Sequence, residues 1–347
     1  METIVIDAKE NKAAGTEQGA GIIRSGGLVA FPTETVYGLG ANGLDGDAVK
    51  RIFEAKGRPG DNPLILHIAD KKDVKMLWES VPEAATVLMD TFWPGPLTMI
   101  AKRSGIVPNE VTAGLDTVAI RMPSNETAAE LIRRSGVPIA APSANLSGKP
   151  SPTTARHVLD DMNGRIPLIL DGGSCDFGVE STVISLTGET PVILRPGAVT
   201  KEMLEAVLGK VGLSSAVLNP LGSGEVAASP GMKYKHYAPE AEVIVVTGEP
   251  EQAAARILAE YHKAKEEKKR VKILATEETK GFYPESDCAI LGTRGNPITL
   301  CRNLFSMLRD LDSSADLILA EGISTEDAGL AYMNRVLRSA GFHVIRT

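Results

Sequence analysis

The chain has 347 residues, enough for two domains, because a single hydrophobic core seldom grows beyond about 250 residues. Its hydrophobic share of 43% is typical of a globular protein, and its formal net charge of −7 argues against a broad basic face for nucleic acid. The three cysteines are far apart, so neither a zinc site nor a disulfide scaffold is indicated.

The N-terminal residues METIVIDAKENK include acidic side chains and no long apolar core, unlike a signal peptide. No apolar run approaches the ~18 residues that a membrane-spanning helix needs. We therefore expect a cytoplasmic protein without a membrane partner.

The first part of the chain alternates short β-branched runs with amphipathic patterns, which predicts a mixed α/β domain. The predicted strands are 28–31, 64–68, 97–101, 118–122, 138–141 and 183–186. The predicted helices are 47–55, 82–92, 126–135 and 201–208. The order of the strands cannot be read from these patterns.

Residues 212–240 are rich in Ser, Gly and Pro and have little periodicity, which is typical of a linker or a functional loop. After them, short buried-strand runs alternate with helical patterns, which predicts a small doubly wound domain with a parallel sheet. Its predicted strands are 243–246, 271–275, 288–291, 317–320 and 343–345, and its helices are 251–268, 298–311 and 327–339. The charged run 263–270 is interpreted as a solvated helix end.

Four polar loops lie next to predicted strands. The first and third follow a strand, where ligands bind in α/β sheets, and the second and fourth precede one. In the first, Thr33 and Thr35 flank Glu34, although a threonine here could simply close a turn. In the second, Lys56 and Arg58 lie among glycines and prolines, in a rigid loop suited to phosphate or carboxylate groups.

The strand after the basic loop ends in His67, a residue type that is more often structural than catalytic in such a place. In the third loop, Ser143 and Asn145 project to one side if the chain is extended, and Ser151 or Thr153 could cap the next helix.

The fourth loop is 178–182, and it is followed by Arg195. Arg121 ends an earlier strand, and for both arginines the alternative is an ordinary surface ion pair. The chain has no G-x-x-x-x-G-K-[ST] loop, no G-x-G-x-x-G after the first strand, no H-E-x-x-H and no G-x-S-x-G. Any nucleotide must therefore be held by side-chain cations, hydroxyls and loop backbone.

Taken together and in this order, these segments resemble the threonylcarbamoyl-AMP synthases, whose catalytic module is the YrdC-like domain. The resemblance rests on TETVYGL at Thr33, KGRPGDNPLILH at Lys56, TVAIRMP at Thr117, APSANLSGKPSPT at Ala141, GVESTV at Gly178, LRPG at Leu194 and SPGMKYKHYAP at Ser229. It implies a YrdC-like twisted mixed sheet with flanking helices over 1–211, a linker and active-site lid over 212–240, and a smaller Rossmann-like domain over 241–347.

The resemblance also implies the reaction. L-threonine and bicarbonate or CO2 form a carbamate, which attacks the α-phosphate of ATP and releases pyrophosphate. Mg²⁺ is expected mainly on the nucleotide phosphates, with no metal site of the protein's own. A separate tRNA threonylcarbamoyl transferase complex is expected to use the product.

Residue by residue, the family's threonine-binding positions match Thr35, His67, Arg121, Ala141 and Ser181. Its ATP-binding positions match Arg58, Asn62, Thr117, Ser143, Ser151, Arg195 and Tyr234. Lys56 and Arg58 are the expected catalytic cations, and Tyr234 is expected to cover the nucleotide as part of the lid.

Two other hypotheses belong to different classes. One is an RNA-binding module with a basic cavity, making at most weak RNA contacts, which the acidic total charge and the lack of aromatics among basic residues disfavour. The other is a regulatory protein with a vestigial site, which the intact Lys56, Arg58, Ser143 and Asn145 disfavour.

Overall fold

The computed structural model describes residues 2–219 and 237–347, and the first domain is built on a large mixed sheet. Its strands are β1 (Ile4–Asp7), β2 (Val29–Phe31), β3 (Gly38–Asn42), β4 (Ile65–His67), β5 (Leu97–Lys102), β6 (Thr117–Arg121), β7 (Ile139–Ala140), β8 (Leu168–Asp171), β9 (Thr182–Ser185), β10 (Val192–Arg195) and β11 (Gly212–Leu213). The spatial order is β1-β8-β2-β3-β7-β4-β6-β5-β9-β10-β11. The predicted mixed α/β class is therefore confirmed.

Helices flank this sheet, and apolar side chains between helices and sheet form the core. They are α1 (Lys12–Arg24), α2 (Gly46–Lys56), α3 (Val74–Leu77), α4 (Glu83–Phe92), α5 (Asn109–Thr112), α6 (Glu126–Ser135), α7 (Ala155–Met162) and α8 (Lys201–Leu208). The boundaries predicted for α6 and α8 are the observed ones. Short 3-10 turns lie at Lys71–Asp73 and Ser215–Val217.

Helix α1 was not predicted, because its glycines are typical of a turn or loop and unfavourable inside a helix. The structure uses them for close packing. A Cβ atom at Gly19 would lie 2.9 Å from Leu131 Cδ1 of α6, and one at Gly15 would lie 3.0 Å from Ile6 of β1. Small residues therefore let α1 approach both the sheet and α6.

Two local expectations are wrong. The helix cap expected from Ser151 or Thr153 is provided by Thr154, whose hydroxyl accepts from the backbone N–H of His157. The linker was predicted to begin at residue 212, but Gly212–Leu213 pairs in parallel with β10, so these residues complete the first sheet.

The C-terminal domain has a wholly parallel sheet, as the alternating pattern predicted. Its strands are β12 (Glu242–Thr247), β13 (Val271–Thr276), β14 (Cys288–Gly292), β15 (Leu317–Glu321) and β16 (Val344–Arg346), in the order β14-β13-β15-β12-β16. Its helices are α9 (Pro250–Glu266), α10 (Pro297–Asp312) and α11 (Gly329–Ser339), with 3-10 turns at Lys280–Phe282 and Glu285–Asp287. The charged end of α9 is solvated, as predicted.

The two domains pack against each other through α10, α11 and the loops of the first domain. Val36 and Val179 join the apolar core that contains Phe305 of α10 and Tyr237. The approach is close at Gly178, where a Cβ atom would lie 2.3 Å from the carbonyl oxygen of Arg302. In the described residues, no helix is long and apolar enough to cross a membrane.

Candidate active site

The polar loops identified in the sequence converge on one cavity at this junction. Its predicted lining residues are Thr35, Lys56, Arg58, His67, Arg121, Ala141, Ser143, Ser181 and Arg195. The cavity is also lined by Thr33, Asn145, Lys149, Glu180 and Tyr237, among others. The predicted convergence of distant loops is confirmed for these residues, while their individual roles stay predictions.

The loop after β2 is a turn closed by Thr33. Its hydroxyl accepts from the backbone N–H groups of Thr35 and Val36, both at 3.2 Å, and donates to the Val36 carbonyl at 2.6 Å. Thr33 therefore has the turn-closing role that was its structural alternative, and it also lines the cavity. The turn leaves the Thr35 hydroxyl facing Arg121, whose Nη1 donates to it at 2.9 Å.

Arg121 is buried, which rules out the surface ion pair considered for it. Its Nη2 lies 2.7 Å from Oε1 of Glu34, which is also buried. Sequence reasoning noticed Glu34 between two hydroxyls but gave it no role. Its contact with Arg121 fixes the guanidinium at the cavity wall.

His67 lies beside Arg121 because β4 and β6 are parallel and pair these two residues. Its ring contacts the edge of Phe31, with a centroid distance of 6.1 Å, and Nδ1 lies 3.2 Å from the Ile65 carbonyl oxygen. Burial, together with repulsion by Arg121, lowers the pKa of His67 to about 3. The imidazole is therefore neutral at physiological pH and can exchange hydrogen bonds with a substrate.

Lys56 ends helix α2, and Gly57 follows it in the left-handed conformation with φ of 62°. Its ammonium group donates to the carbonyl oxygens of Ser143 and Asn145, at 2.5 and 2.6 Å. Burial and repulsion by Arg58 lower the pKa of Lys56 to about 7. The lysine thus ties two of the predicted loops together as well as adding charge.

Ser143 and Asn145 project to the same side, as their spacing predicted. The Ser143 hydroxyl donates to Oδ1 of Asn145 at 2.5 Å, and the Asn145 amide donates to the carbonyl oxygens of Leu146 and Lys149. These bonds give the loop a defined shape, with the Ser143 hydroxyl at the cavity.

Ser181 and Arg195 line the cavity together. Arg195 donates through Nε to the Ser181 carbonyl oxygen at 3.1 Å and through Nη2 to its hydroxyl at 3.2 Å. The Ser181 hydroxyl also lies 2.7 Å from that of Thr98. Burial lowers the pKa of Arg195 to about 10, so it stays a cation at physiological pH.

Among the residues that the structure describes, three predicted ones do not line the cavity. Thr117 lies at the start of β6, four residues before Arg121. Asn62 is fully buried, with no hydrogen-bond partner for its amide. Ser151 donates instead to the carboxylate of Glu180, and Tyr234 lies outside the described residues.

The cavity concentrates positive charge, supplied by Lys56, Arg58, Arg121, Lys149 and Arg195. The carboxylate in its lining, Glu180, is held by Ser151 and by Arg335 of the C-terminal domain. Among the described residues, no group of three or more His, Cys, Asp or Glu is placed to hold a metal ion. Such a cavity suits a polyanion with a carboxylate beside it.

Sequence reasoning did not name Glu180, Tyr237 or Arg335 as site residues. Glu180 belongs to the GVESTV segment, where a carboxylate between small residues was an available signal. Arg335 had a weaker signal, since it and Asn334 lie between the apolar residues of α11.

The sequence matches two family models. Residues 21–197 match the Sua5, YciO and YrdC model described as "Telomere recombination". Residues 199–341 match "Threonylcarbamoyl-AMP synthase, C-terminal domain".

Two curated relatives cover almost the whole chain. A threonylcarbamoyl-AMP synthase of Pyrococcus abyssi is 50% identical over 99% of both chains. One from Bacillus subtilis is 49% identical over 95% of this chain and 94% of its own length. The crystal structure of P. abyssi Sua5 complexed with L-threonine has a TM-score of 0.91 and 47% identity, over 99% of this chain and 100% of that one.

Proposed function

Because this chain belongs to the threonylcarbamoyl-AMP synthase family in its long, two-domain form, we propose that it is an L-threonylcarbamoyladenylate synthase, and hence a nucleotidyltransferase. Its substrates are L-threonine, bicarbonate or CO2, and ATP. The observation that carries this proposal is the convergence of Arg58, Ser143, Ser181 and Arg195 on a single cationic cavity.

Threonine fits the side of the cavity that holds Arg121. Its carboxylate would accept from the Arg121 guanidinium, which Glu34 and Thr35 keep in place. Neutral His67, Ala141 and Ser181 would surround the rest of the amino acid. Binding of L-threonine by a 47% identical relative supports this assignment.

ATP fits the side lined by Lys56, Arg58, Ser143 and Arg195. These residues supply positive charge to the phosphate oxygens without a glycine-rich phosphate loop. Asn62, Thr117, Ser151 and Tyr234 remain assigned to ATP by family resemblance alone.

The chemistry needs positioning more than covalent catalysis. The threonine amine bonds to the carbon of CO2 and loses a proton, or to the carbon of bicarbonate with loss of water, and either route gives a carbamate. A carbamate oxygen then attacks the α-phosphorus, the bond to the bridging oxygen breaks, and pyrophosphate leaves with that electron pair. Fixed cations beside the phosphates stabilise the charge that develops there, and burial protects the short-lived carbamate from water.

Mg²⁺ would enter with ATP. The Glu180 carboxylate already has Ser151 and Arg335 as partners, and no metal-binding cluster lies among the described residues. When bound, Mg²⁺ supplies charge neutralisation at the phosphates, mainly through phosphate oxygens. We expect a tRNA threonylcarbamoyl transferase complex to take up the product.

The deciding experiment is an assay of pyrophosphate release by the full chain. We expect pyrophosphate only when threonine, bicarbonate and ATP are all present, and mass spectrometry should then detect threonylcarbamoyl-AMP. Pyrophosphate release that does not depend on threonine would overturn the proposal. Tight binding of tRNA without binding of ATP and threonine would favour the RNA-binding hypothesis instead.

A further inference from the structure

A buried ion pair joins the C-terminal domain to the wall of the cavity. Arg335 of helix α11 is 0% exposed, and its Nε donates to Oε2 of Glu180 at 2.8 Å. The other carboxylate oxygen, Oε1, accepts from the Ser151 hydroxyl at 2.5 Å. Glu180 therefore connects an arginine of one domain with a predicted ATP-binding serine of the other.

The same guanidinium holds the backbone of both segments in this wall. Nη1 of Arg335 donates to the Pro196 carbonyl oxygen at 2.9 Å, and Nη2 donates to that of Glu180 at 3.2 Å. These carbonyl groups are adjacent in sequence to Arg195 and Ser181. One side chain thus fixes the two segments that carry these cavity-lining groups.

A second arginine of the C-terminal domain acts on the neighbouring loop. Arg309 of α10 donates through Nη2 to the Pro150 carbonyl oxygen at 2.6 Å and to the buried Asp161 carboxylate at 2.7 Å. Pro150 directly follows Lys149, which lines the cavity, so a second contact of this domain lies next to the cavity wall.

Arg335 compensates the negative charge of the buried Glu180 carboxylate. A buried carboxylate is unfavourable without a partner. Burial raises the pKa of Glu180, but attraction by Arg335 and Arg195 outweighs it and leaves the pKa below its ordinary value. Glu180 is therefore ionised, and without Arg335 its negative charge would face a cavity suited to a polyanion.

We propose, resting on the synthase function above, that Arg335 is a positioning residue for the ATP site. It neutralises Glu180 and fixes the segment of Arg195, on the triphosphate side, and the segment of Ser181, on the threonine side. The C-terminal domain thereby completes the active site of this chain without contacting substrate through Arg335.

The test compares Arg335→Met with Arg302→Met in the full chain. Arg302 is a matched control, because it donates to the Asp176 carbonyl oxygen across the same domain interface and does not line the cavity. We expect Arg335→Met to lower kcat/KM for ATP by about 10²-fold, the scale of a misplaced site, and to raise KM for threonine as well, because the Ser181 segment borders the threonine side. Arg302→Met should stay within about twofold of the wild type.

The pH dependence separates positioning from a general loss of structure. In Arg335→Met the pKa of Glu180 should rise, although Arg195, Arg338 and Lys56 still act on it, so its protonation at lower pH should restore part of the lost activity relative to wild type. Adding Glu180→Gln to that variant should abolish this recovery. Equal losses in the Arg335→Met and Arg302→Met variants, or no recovery at low pH, would overturn the proposal.

A second variant, Arg335→Lys, and a binding measurement complete the test. If Arg335→Met does not fold, Arg335→Lys keeps the charge but loses backbone contacts, and we expect about a tenfold loss in kcat/KM for ATP. Wild-type kinetics in Arg335→Lys would contradict the role of those contacts.

The synthase function and the positioning role can fail separately. If the wild type releases no pyrophosphate, the synthase function is wrong. The positioning role would still be supported if calorimetry shows that the Arg335 variants bind a non-hydrolysable ATP analogue more weakly than Arg302→Met does.

Discussion

The two domains each have a cleft beside buried charged groups, but the clefts carry opposite charge. The cavity of the first domain is lined by Lys56, Arg58, Arg121 and Arg195 around Glu180. The cleft at the carboxyl ends of β12, β14 and β15 is lined by Glu249, Arg294, Glu326 and Asp327. Location at the end of a parallel sheet favours ligand binding in general. The charge of the lining decides which cleft suits ATP.

The comparison extends to the buried carboxylates. Glu321, at the end of β15, accepts from Thr276, Thr279, Tyr283 and Arg294, all in its own domain. Glu180 obtains its arginine from the other domain. A buried carboxylate–arginine pair is thus not by itself a sign of catalysis, and its position relative to the cavity determines its role.

The largest expected effect is at Arg58. We expect Arg58→Ala to lower the rate of pyrophosphate release by roughly 10²-fold or more, since it removes one preorganised cation from the phosphate side. Steady-state kinetics with saturating threonine and bicarbonate would measure this. Unchanged pyrophosphate release would remove Arg58 from the mechanism and weaken the contrast between the clefts.

The next effect concerns the threonine side. Arg121→Ala should raise KM for threonine by about 10- to 10²-fold, because a two-pronged bond to the carboxylate is lost. Affinity for ATP, measured by calorimetry with a non-hydrolysable analogue, should change much less. An equal loss of both affinities would show that Arg121 serves the whole cavity instead of the amino acid.

Removing the arginine of the C-terminal cleft should lower the stability of the protein without changing its activity. Arg294 pairs with Glu321 at 2.8 Å, and the Glu321 side chain is 1% exposed. Arg294→Ala should therefore cost about 3 kcal/mol of unfolding free energy, seen in denaturant titrations. kcat/KM of the folded protein should stay within about twofold. As a control, Arg270→Ala removes an exposed pair with Asp316 and should leave the unfolding free energy nearly unchanged.

The smallest expected effect is the uptake of protons when ATP binds. Burial and Arg58 lower the pKa of Lys56 to about 7, so this amine is partly deprotonated in the free protein at pH 7.5. Bound phosphates raise that pKa, and ATP binding should take up as much as about one proton. Calorimetry in buffers of different ionisation enthalpy measures the uptake, and Lys56→Arg should abolish it. Proton release on binding would contradict this charge assignment.

Much of the fold could be predicted from the sequence. Helices α6 and α8, the parallel C-terminal sheet and the polar loops beside strands all follow local patterns of apolar and turn residues. Helix α1 could not be predicted, because its glycines are explained only by close contacts with Ile6 and Leu131. The cap at Thr154 and the pairing of β11 likewise depend on neighbours in space.

In the candidate site, too, some residues could be found from the sequence and others only from the structure. Local sequence made Lys56, Arg58, Ser143 and Asn145 candidates, because loops rich in Gly and Pro present polar groups, and the family resemblance assigned them to a site. It could not identify Arg335, whose partner Glu180 is 155 residues away. Nor could it distinguish a buried Arg121 from a surface one.

The sequence alone determined the types of chemical group, their order and the elements that carry them, because hydrophobic periodicity and turn residues act over a few positions. The tertiary structure alone decided which charges share a cavity and which carboxylate needs a partner from the other domain. Burial and ion pairing depend on distances between segments that are remote in the chain, and folding sets those distances.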